Sequence, residues 1–244
     1  LSRKQEIAYA SADVYFSGPR TLFDLFYVFF LNQVVGLSVA MAGVIYAVAL
    51  ILRAITEPTF GVISDRIETR WGKRKPFLAV GGVLALLSFI TLWYPYQNLS
   101  ADASLAVAFV TAALFAFVSG MMLGPYAALG PDVAPNYHAR TRVSNIRHLF
   151  QLLAISIAVF GFSFFLQEDA SLNNAYIALV VLFAVLFAGP MLLLIRFVPE
   201  VQHEMQPKDV QQTIKNLLLP LKLPAFKVYL IMNAAIETVL ILLP

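Results

Sequence analysis

Gly61-Val62-Ile63-Ser64-Asp65-Arg66-Ile67-Glu68-Thr69-Arg70-Trp71-Gly72-Lys73-Arg74-Lys75-Pro76-Phe77 separates two long apolar runs, and its reading decides the fold. Arg66, Arg70, Lys73, Arg74 and Lys75 crowd one short connector, and positive residues beside apolar runs are retained on the cytoplasmic side of a bilayer. Asp65 ends the preceding run, where it can pair with a basic residue or cap a neighbouring helix. Gly61, one turn earlier, lets another helix approach closely. Such a loop makes Gly61, Asp65, Arg66 and Arg70 candidates for gating, whereas Lys73, Arg74 and Lys75 are also explained by topology alone.

Outward from this loop, apolar windows of membrane-spanning length recur. A bilayer core about 30 Å thick takes roughly 20 helical residues, and seven such windows are expected, at 10–34, 38–63, 76–95, 104–128, 148–167, 174–196 and 226–244. The connectors supply turn and cap residues: Gly36 to Ser38, Gly72 to Pro76, Asn98 to Ser100, Pro131 to Asn136, and Asp169 to Asn174. Alternating strand patterns are missing, which sets an outer-membrane barrel aside. Composition agrees: 60% of residues are hydrophobic and 13% charged, with a mean hydropathy of +0.78, against about 25% charge in a soluble domain. The fold class is therefore an all-α integral membrane protein, a six-helix bundle (1–196) followed by a polar linker (197–225) and the start of a seventh helix (226–244). The chain reads as an incomplete functional unit whose remaining partner is a second bundle.

All of the 17 Lys and Arg residues except Arg20 and Arg53 fall at the chain start, between runs 2 and 3, between runs 4 and 5, or after run 6. The opposite connectors carry only Asp102, Glu168 and Asp169. This segregation puts the amino terminus in the cytoplasm.

Charges inside apolar runs cost roughly 2.5–3.5 kcal/mol on insertion scales and mark function by default. Arg20 and Asp24 share one helix face at i, i+4 spacing, and so do Arg53 and Glu57, with Pro58 adjacent. Both arginines sit about ten residues, ~15 Å, from the cytoplasmic end, so pairing between the two helices is open alongside pairing within each. Gly18-Pro19 is expected to interrupt the first run. Ser119, Gly120 and Gly124 read as a packing face. Tyr126 is a candidate for stacking on a sugar ring, with Tyr15, Phe16, Tyr27 and Gln151 as weaker cavity candidates.

Catalytic chemistry lacks a motif. His138, His148 and His203 have no ligand spacing, no glycine-rich phosphate loop or nucleophile elbow occurs, and cysteine is absent. No enzyme activity, cofactor or metal is expected, and no nucleic-acid partner.

The loop Gly61 to Phe77, together with Val34-Val35-Gly36-Leu37-Ser38 and with Gly124-Pro125-Tyr126 leading to Arg140-Thr141-Arg142, resembles the major facilitator superfamily, in its glycoside-pentoside-hexuronide cation symporter (melibiose-permease-like) branch. The resemblance covers most of residues 8–200. It implies a secondary transporter moving a sugar or glycoside by alternating access in a bacterial inner membrane, with Arg140 and Arg142 joining the gating set. Aligned on these anchors, Ser17, Arg53 and Leu123 stand where the branch carries cation-binding carboxylates, Thr56 stands at its asparagine, and Glu57 alone keeps its charge type. Asp13, one turn before Ser17, is the candidate substitute. Proton coupling is thereby favoured over sodium coupling, and Arg20, Asp24, Arg53, Glu57, Tyr126 and Asp13 are the candidate substrate or coupling residues. A non-transporting scaffold or assembly subunit and a lipid or lysolipid carrier are the alternatives.

Overall fold

The computed structural model describes residues 2–67, 69–96, 99–166 and 173–199, with scattered positions between 223 and 232. Glu68, Glu168, Asp169 and nearly all of the expected linker and seventh helix lie outside the described residues. The chain divides into two compact units, Leu1–Val201 and Gln202–Pro244. The first holds seven helices among the described residues: α1 (Arg3–Ser11), α2 (Asp13–Gln33), α3 (Val39–Ser64), α4 (Lys75–Leu92), α5 (Ala101–Val133), α6 (Tyr137–Leu166) and α7 (Asn173–Phe197).

The helix starts follow local chemistry. The Ser38 hydroxyl accepts from the Met41 amide at 3.3 Å and that of Ser100 from Ala103 at 3.4 Å, which fills donors that no preceding turn can satisfy. Gly36 and Gly72 adopt φ of 85° and 106°, a region costly for residues with a Cβ. Pro76 lies in the first turn of α4, where its missing amide costs nothing.

Three boundaries differ from the sequence expectation. The first run is interrupted at Ala12, between α1 and α2, while α2 continues through Gly18-Pro19. Gly18 serves close packing instead: a Cβ there would collide with the Phe187 ring of α7. α5 extends through Pro125 and Pro131 to Val133. α6 starts at Tyr137, well before 148, because its first turns carry His138, Arg140, Arg142 and Arg147 and are helical without being apolar.

Among the described residues, five helices are long and apolar enough to cross a membrane: α3, α4, α5, and most of α6 and α7. α2 has the length, 21 residues or about 32 Å, but carries Asp13, Arg20 and Asp24. Large apolar side chains such as Val44, Ile51, Val83, Val110, Leu152 and Leu182 stand exposed, as expected where lipid is the solvent. Inside, Phe23, Tyr27, Phe30, Trp93 and Phe115 pack ring against ring. The Tyr27 hydroxyl donates to the Ala108 carbonyl at 3.1 Å and that of Tyr15 to Gly82 at 3.1 Å, which joins α2 to α5 and α4.

α3 and α5 form the most extensive helix pair. Gly120 and Gly124 of α5 make this possible: a Cβ on Gly120 would strike the Thr56 side chain, and one on Gly124 would strike the Glu57 carbonyl and the Gly61 backbone. Gly124→Ala is therefore expected to cost about 1–3 kcal/mol through overpacking. Gly43→Ala, which meets open space, should leave stability unchanged or raised. Thermal melts of the two variants in detergent compare them directly, and equal midpoints would contradict the close contact.

Candidate functional site

A cavity of about 200 Å3 opens within the first unit. Phe16, Phe89, Phe115 and Phe187 give it aromatic walls; Asp13, Arg20, Arg53, Arg147, Ser17, Ser119 and Gln151 bring polar groups to it. One carboxylate and three guanidiniums thus face the same space.

Asp13, at the first turn of α2, is buried and gripped by Arg147 of α6: Nε donates to Oδ2, and a second guanidinium nitrogen donates to Oδ1 at 3.2 Å. Bidentate geometry of this kind is the strongest arrangement open to a carboxylate and an arginine. The Arg147 guanidinium also lies over two rings, 5.6 Å from the centroid of Tyr9 and 5.2 Å from that of Tyr126, within cation–π range. Tyr9 and Tyr126 stack at 4.8 Å and exchange bonds: the Tyr126 hydroxyl donates to the Tyr9 carbonyl at 3.1 Å and that of Tyr9 to the Tyr126 carbonyl at 3.3 Å. Burial pushes the Tyr9 hydroxyl up to about 12, so it stays a donor at neutral pH. Arg147 also borders a second hollow of about 250 Å3, lined by Tyr9, Ala134, Arg140 and Ser144 among others.

Tyr126 is not placed to stack on a ligand. It is completely buried, with Tyr9 on its ring at 4.8 Å and Phe16 at 4.5 Å, and the ring presented to the cavity is Phe16. Tyr15 and Gln151 line the cavity, whereas Tyr27 packs in the core.

Of the two expected ladders, one forms within its helix and one does not. Arg20 Nε donates to Asp24 Oδ2 at 3.2 Å. Arg53 reaches across from α3 to Asp24 Oδ1 at 3.6 Å, and the Tyr46 hydroxyl donates to the same oxygen at 3.2 Å. Glu57 makes no ion pair or side-chain hydrogen bond among the described residues and does not line the cavity. Thr56 is occupied locally, its hydroxyl donating to the Leu52 and Arg53 carbonyls. The sequence reading missed Arg147; its place at the end of the connector expected between runs 4 and 5 gave no distance to Asp13, and only the pairing of a lone acid with a lone base at helix ends could have suggested it.

At the basic end of the bundle, Arg74 bridges Asp65 of the signature loop, at 3.2 Å, and Asp132 near the end of α5, at 2.8 Å. The loop acid was expected here; Arg74 as its partner and Asp132 were not. Arg66 is exposed, and Arg70 lies 5.7 Å over the Trp71 ring. Arg140 donates to the Ala134 carbonyl at 3.1 Å, and Arg142 holds buried Glu6 of α1 through two bonds, one of 2.8 Å. Gly61 faces Gly124 across the α3–α5 contact.

All-α, apolar on its outer surface and built around a charged cavity, the chain is an integral membrane protein. It belongs to the MFS/sugar transport protein family, which matches residues 8–223, and membership of a transport family agrees with a non-enzymatic role. Among curated proteins it is similar to the inner membrane symporter YicJ of Escherichia coli (strain K12), 30% identical over 53% of this chain and 28% of the relative. The putative glycoside/cation symporter YagG of the same strain is 31% identical over 66% of this chain and 35% of its own length. The isoprimeverose transporter of Lactiplantibacillus pentosus is 26% identical over 63% of this chain and 32% of its own length. The chain thus matches only a minor part of each relative.

The Glu6–Arg142 tie generates a pH prediction. The Arg142 hydrogen bond holds the Glu6 carboxyl below its ordinary value of 4.5. A carboxyl lowered on folding adds stability above its unfolded value, and that stability is lost as pH falls through the folded value. The melting midpoint of wild type should exceed that of Glu6→Gln at pH 7, and the gap should close as pH is taken below 4.5. A gap that is constant across this window would mean that the tie contributes nothing.

Proposed function

We propose that this chain forms part of a secondary transporter that moves a small solute, a sugar or glycoside, by alternating access between this bundle and a second one. The observation that carries the reading is the cavity, where aromatic walls suited to the faces of sugar rings surround arginine, aspartate, serine and glutamine groups suited to hydroxyls. Irregular polarity of this kind inside a membrane bundle is maintained for a solute path. The relatives named above as symporters and as an isoprimeverose transporter support the same class.

In this reading Asp13, Arg20, Asp24 and Arg53 contact the solute or carry coupling, with Arg147 as the fixed partner of Asp13. Tyr126 positions Arg147 and Phe16, and Glu57 is a reserve carboxylate on α3. Coupling is to protons rather than sodium. A hard cation needs several oxygen ligands, whereas the cavity offers one carboxylate already held by a guanidinium. Asp65, Arg74 and Asp132, with Gly61, Arg66, Arg70, Arg140 and the Glu6–Arg142 tie, form the gating set at the basic end. That end faces the cytoplasm, in a bacterial inner membrane, in keeping with the retention of Lys and Arg on that side.

The purified full chain should show a saturable rise in melting temperature with isoprimeverose. The rise should be equal in sodium and choline buffers and should be lost in Arg147→Ala. In Asp13→Asn, which removes the carboxylate that holds Arg147, the rise should shrink. No response to isoprimeverose or simple glycosides, with both variants melting like wild type, would favour the scaffold reading instead.

A further inference from the structure

We propose that the second hollow, between α1, the end of α5 and the first turns of α6, binds a phosphate group, carried either by a dissolved phosphomonoester or by an anionic lipid headgroup. This site is separate from the cavity assigned to the solute and does not depend on that assignment.

The hollow is lined by Tyr9 of α1, by Gly130 and Ala134 around the end of α5, and by Arg140, Ser144 and Arg147 of α6. The three α6 residues are spaced i, i+4 and i+7 and so share one face of the helix. Retention of positive residues on the cytoplasmic side accounts for arginines anywhere in this stretch. It does not account for two of them and a hydroxyl on one stripe, opening on one hollow. Among the described residues no carboxylate lines that space.

Each donor is held in place with capacity left over. Arg140 Nε donates to the Ala134 carbonyl at 3.1 Å, which pins the guanidinium, while its two terminal nitrogens make no hydrogen bond among the described residues. Arg147 is fixed through Nε and one terminal nitrogen by Asp13, and by the rings of Tyr9 and Tyr126. Its other terminal nitrogen makes no hydrogen bond among the described residues. The Ser144 hydroxyl is also unused there, whereas Thr141 and Ser156 of the same helix turn theirs back on the Tyr137 and Leu152 carbonyls. Arg140 and Ser144 are exposed, so the hollow is reached from bulk water.

Charge points the same way. Asp13 offsets Arg147 from the cavity side, and Glu6 pairs with Arg142. Arg140 therefore leaves the hollow with a surplus of one positive charge. A phosphate group carries several strong acceptor oxygens pointing in different directions, and can accept from two guanidiniums and a hydroxyl at once. A carboxylate offers only one plane of oxygens, and a neutral sugar hydroxyl does not answer the charge.

The test melts the purified full chain in non-ionic detergent, with no sugar ligand present, in inorganic phosphate, in glucose 6-phosphate and in dihexanoyl phosphatidylglycerol. Sodium chloride at matched ionic strength and glucose are the controls. At least one phosphate compound should raise the melting temperature saturably by about 2–4 °C, and neither control should. A lower half-saturating concentration for the phosphatidylglycerol than for glucose 6-phosphate assigns the site to lipid, and the reverse order assigns it to a dissolved phosphomonoester. Arg140→Gln should lose the rise. Ser144→Asp places a carboxylate beside both guanidiniums. It should melt above wild type in phosphate-free buffer and show no further rise, a gain that misfolding cannot mimic. No rise with any phosphate compound, an equal rise in chloride, or a rise that survives either substitution would overturn the site. Because isoprimeverose is absent from every arm, these outcomes leave the transport reading to its own test.

Discussion

The Asp13–Arg147 pair is the interaction on which the interior of the bundle depends. It joins the start of α2 to α6, and the rings of Tyr9 and Tyr126 close over its cation. An ion pair here gains little over apolar side chains of equal volume, yet removing Arg147 leaves the buried Asp13 carboxylate uncompensated, at a cost of about 3–5 kcal/mol. The pair therefore acts less as a source of stability than as a constraint on every neighbour. Tyr126 gives its hydroxyl to the Tyr9 carbonyl and its ring to Tyr9, Phe16 and the Arg147 cation, which is why it offers no surface to a ligand. Phe16, stacked on the outer face of Tyr126, inherits the position at the cavity wall.

The lipid imposes the complementary constraint. With apolar side chains turned outward on α3 to α7, polar groups have only the interior and the two ends in which to be satisfied. Their distribution follows. The ends hold the ties that water can assist, Asp65 and Asp132 on Arg74 and Glu6 on Arg142. The interior holds two separate clusters, one closed (Asp13–Arg147) and one open (Arg20–Asp24–Arg53). An interior with one neutral and one positive cluster is a field as well as a shape.

The apolar runs were legible because hydrocarbon thickness fixes their length, and α2 to α7 each overlap most of an expected window for that reason. Arg20 and Asp24 were legible as a pair because helical spacing places them on one face. What the sequence did not disclose depends on tertiary approach. Arg53 has an equally spaced acid in Glu57, and spacing alone favours that partner; the structure turns it to Asp24 because α2 lies against that face of α3. Arg147 looked like one more topogenic base, since nothing in a linear charge count separates a residue that anchors a loop from one that reaches a buried acid. α1 and the first turns of α6 were invisible to hydropathy, which detects only helices that lipid must cover. Gly18-Pro19 misled because α2 runs on through Pro19 in its interior, and Gly18 is there for Phe187.

The packing face and the candidate site prove to be one feature. A Cβ on Gly120 would meet not only Thr56 but the Arg53 carbonyl, at 3.1 Å. The absence of that carbon is what lets α5 press against the turn of α3 from which the arginine projects. Thr56 closes the same turn by bonding the Leu52 and Arg53 carbonyls. The backbone of Arg53 is thus clamped from two sides, while among the described residues its guanidinium makes no hydrogen bond and meets Asp24 only at 3.6 Å. A rigid stem under an unsatisfied head is the arrangement that binding needs: the ordering of the backbone is complete before any solute arrives, and only the side chain remains to be oriented.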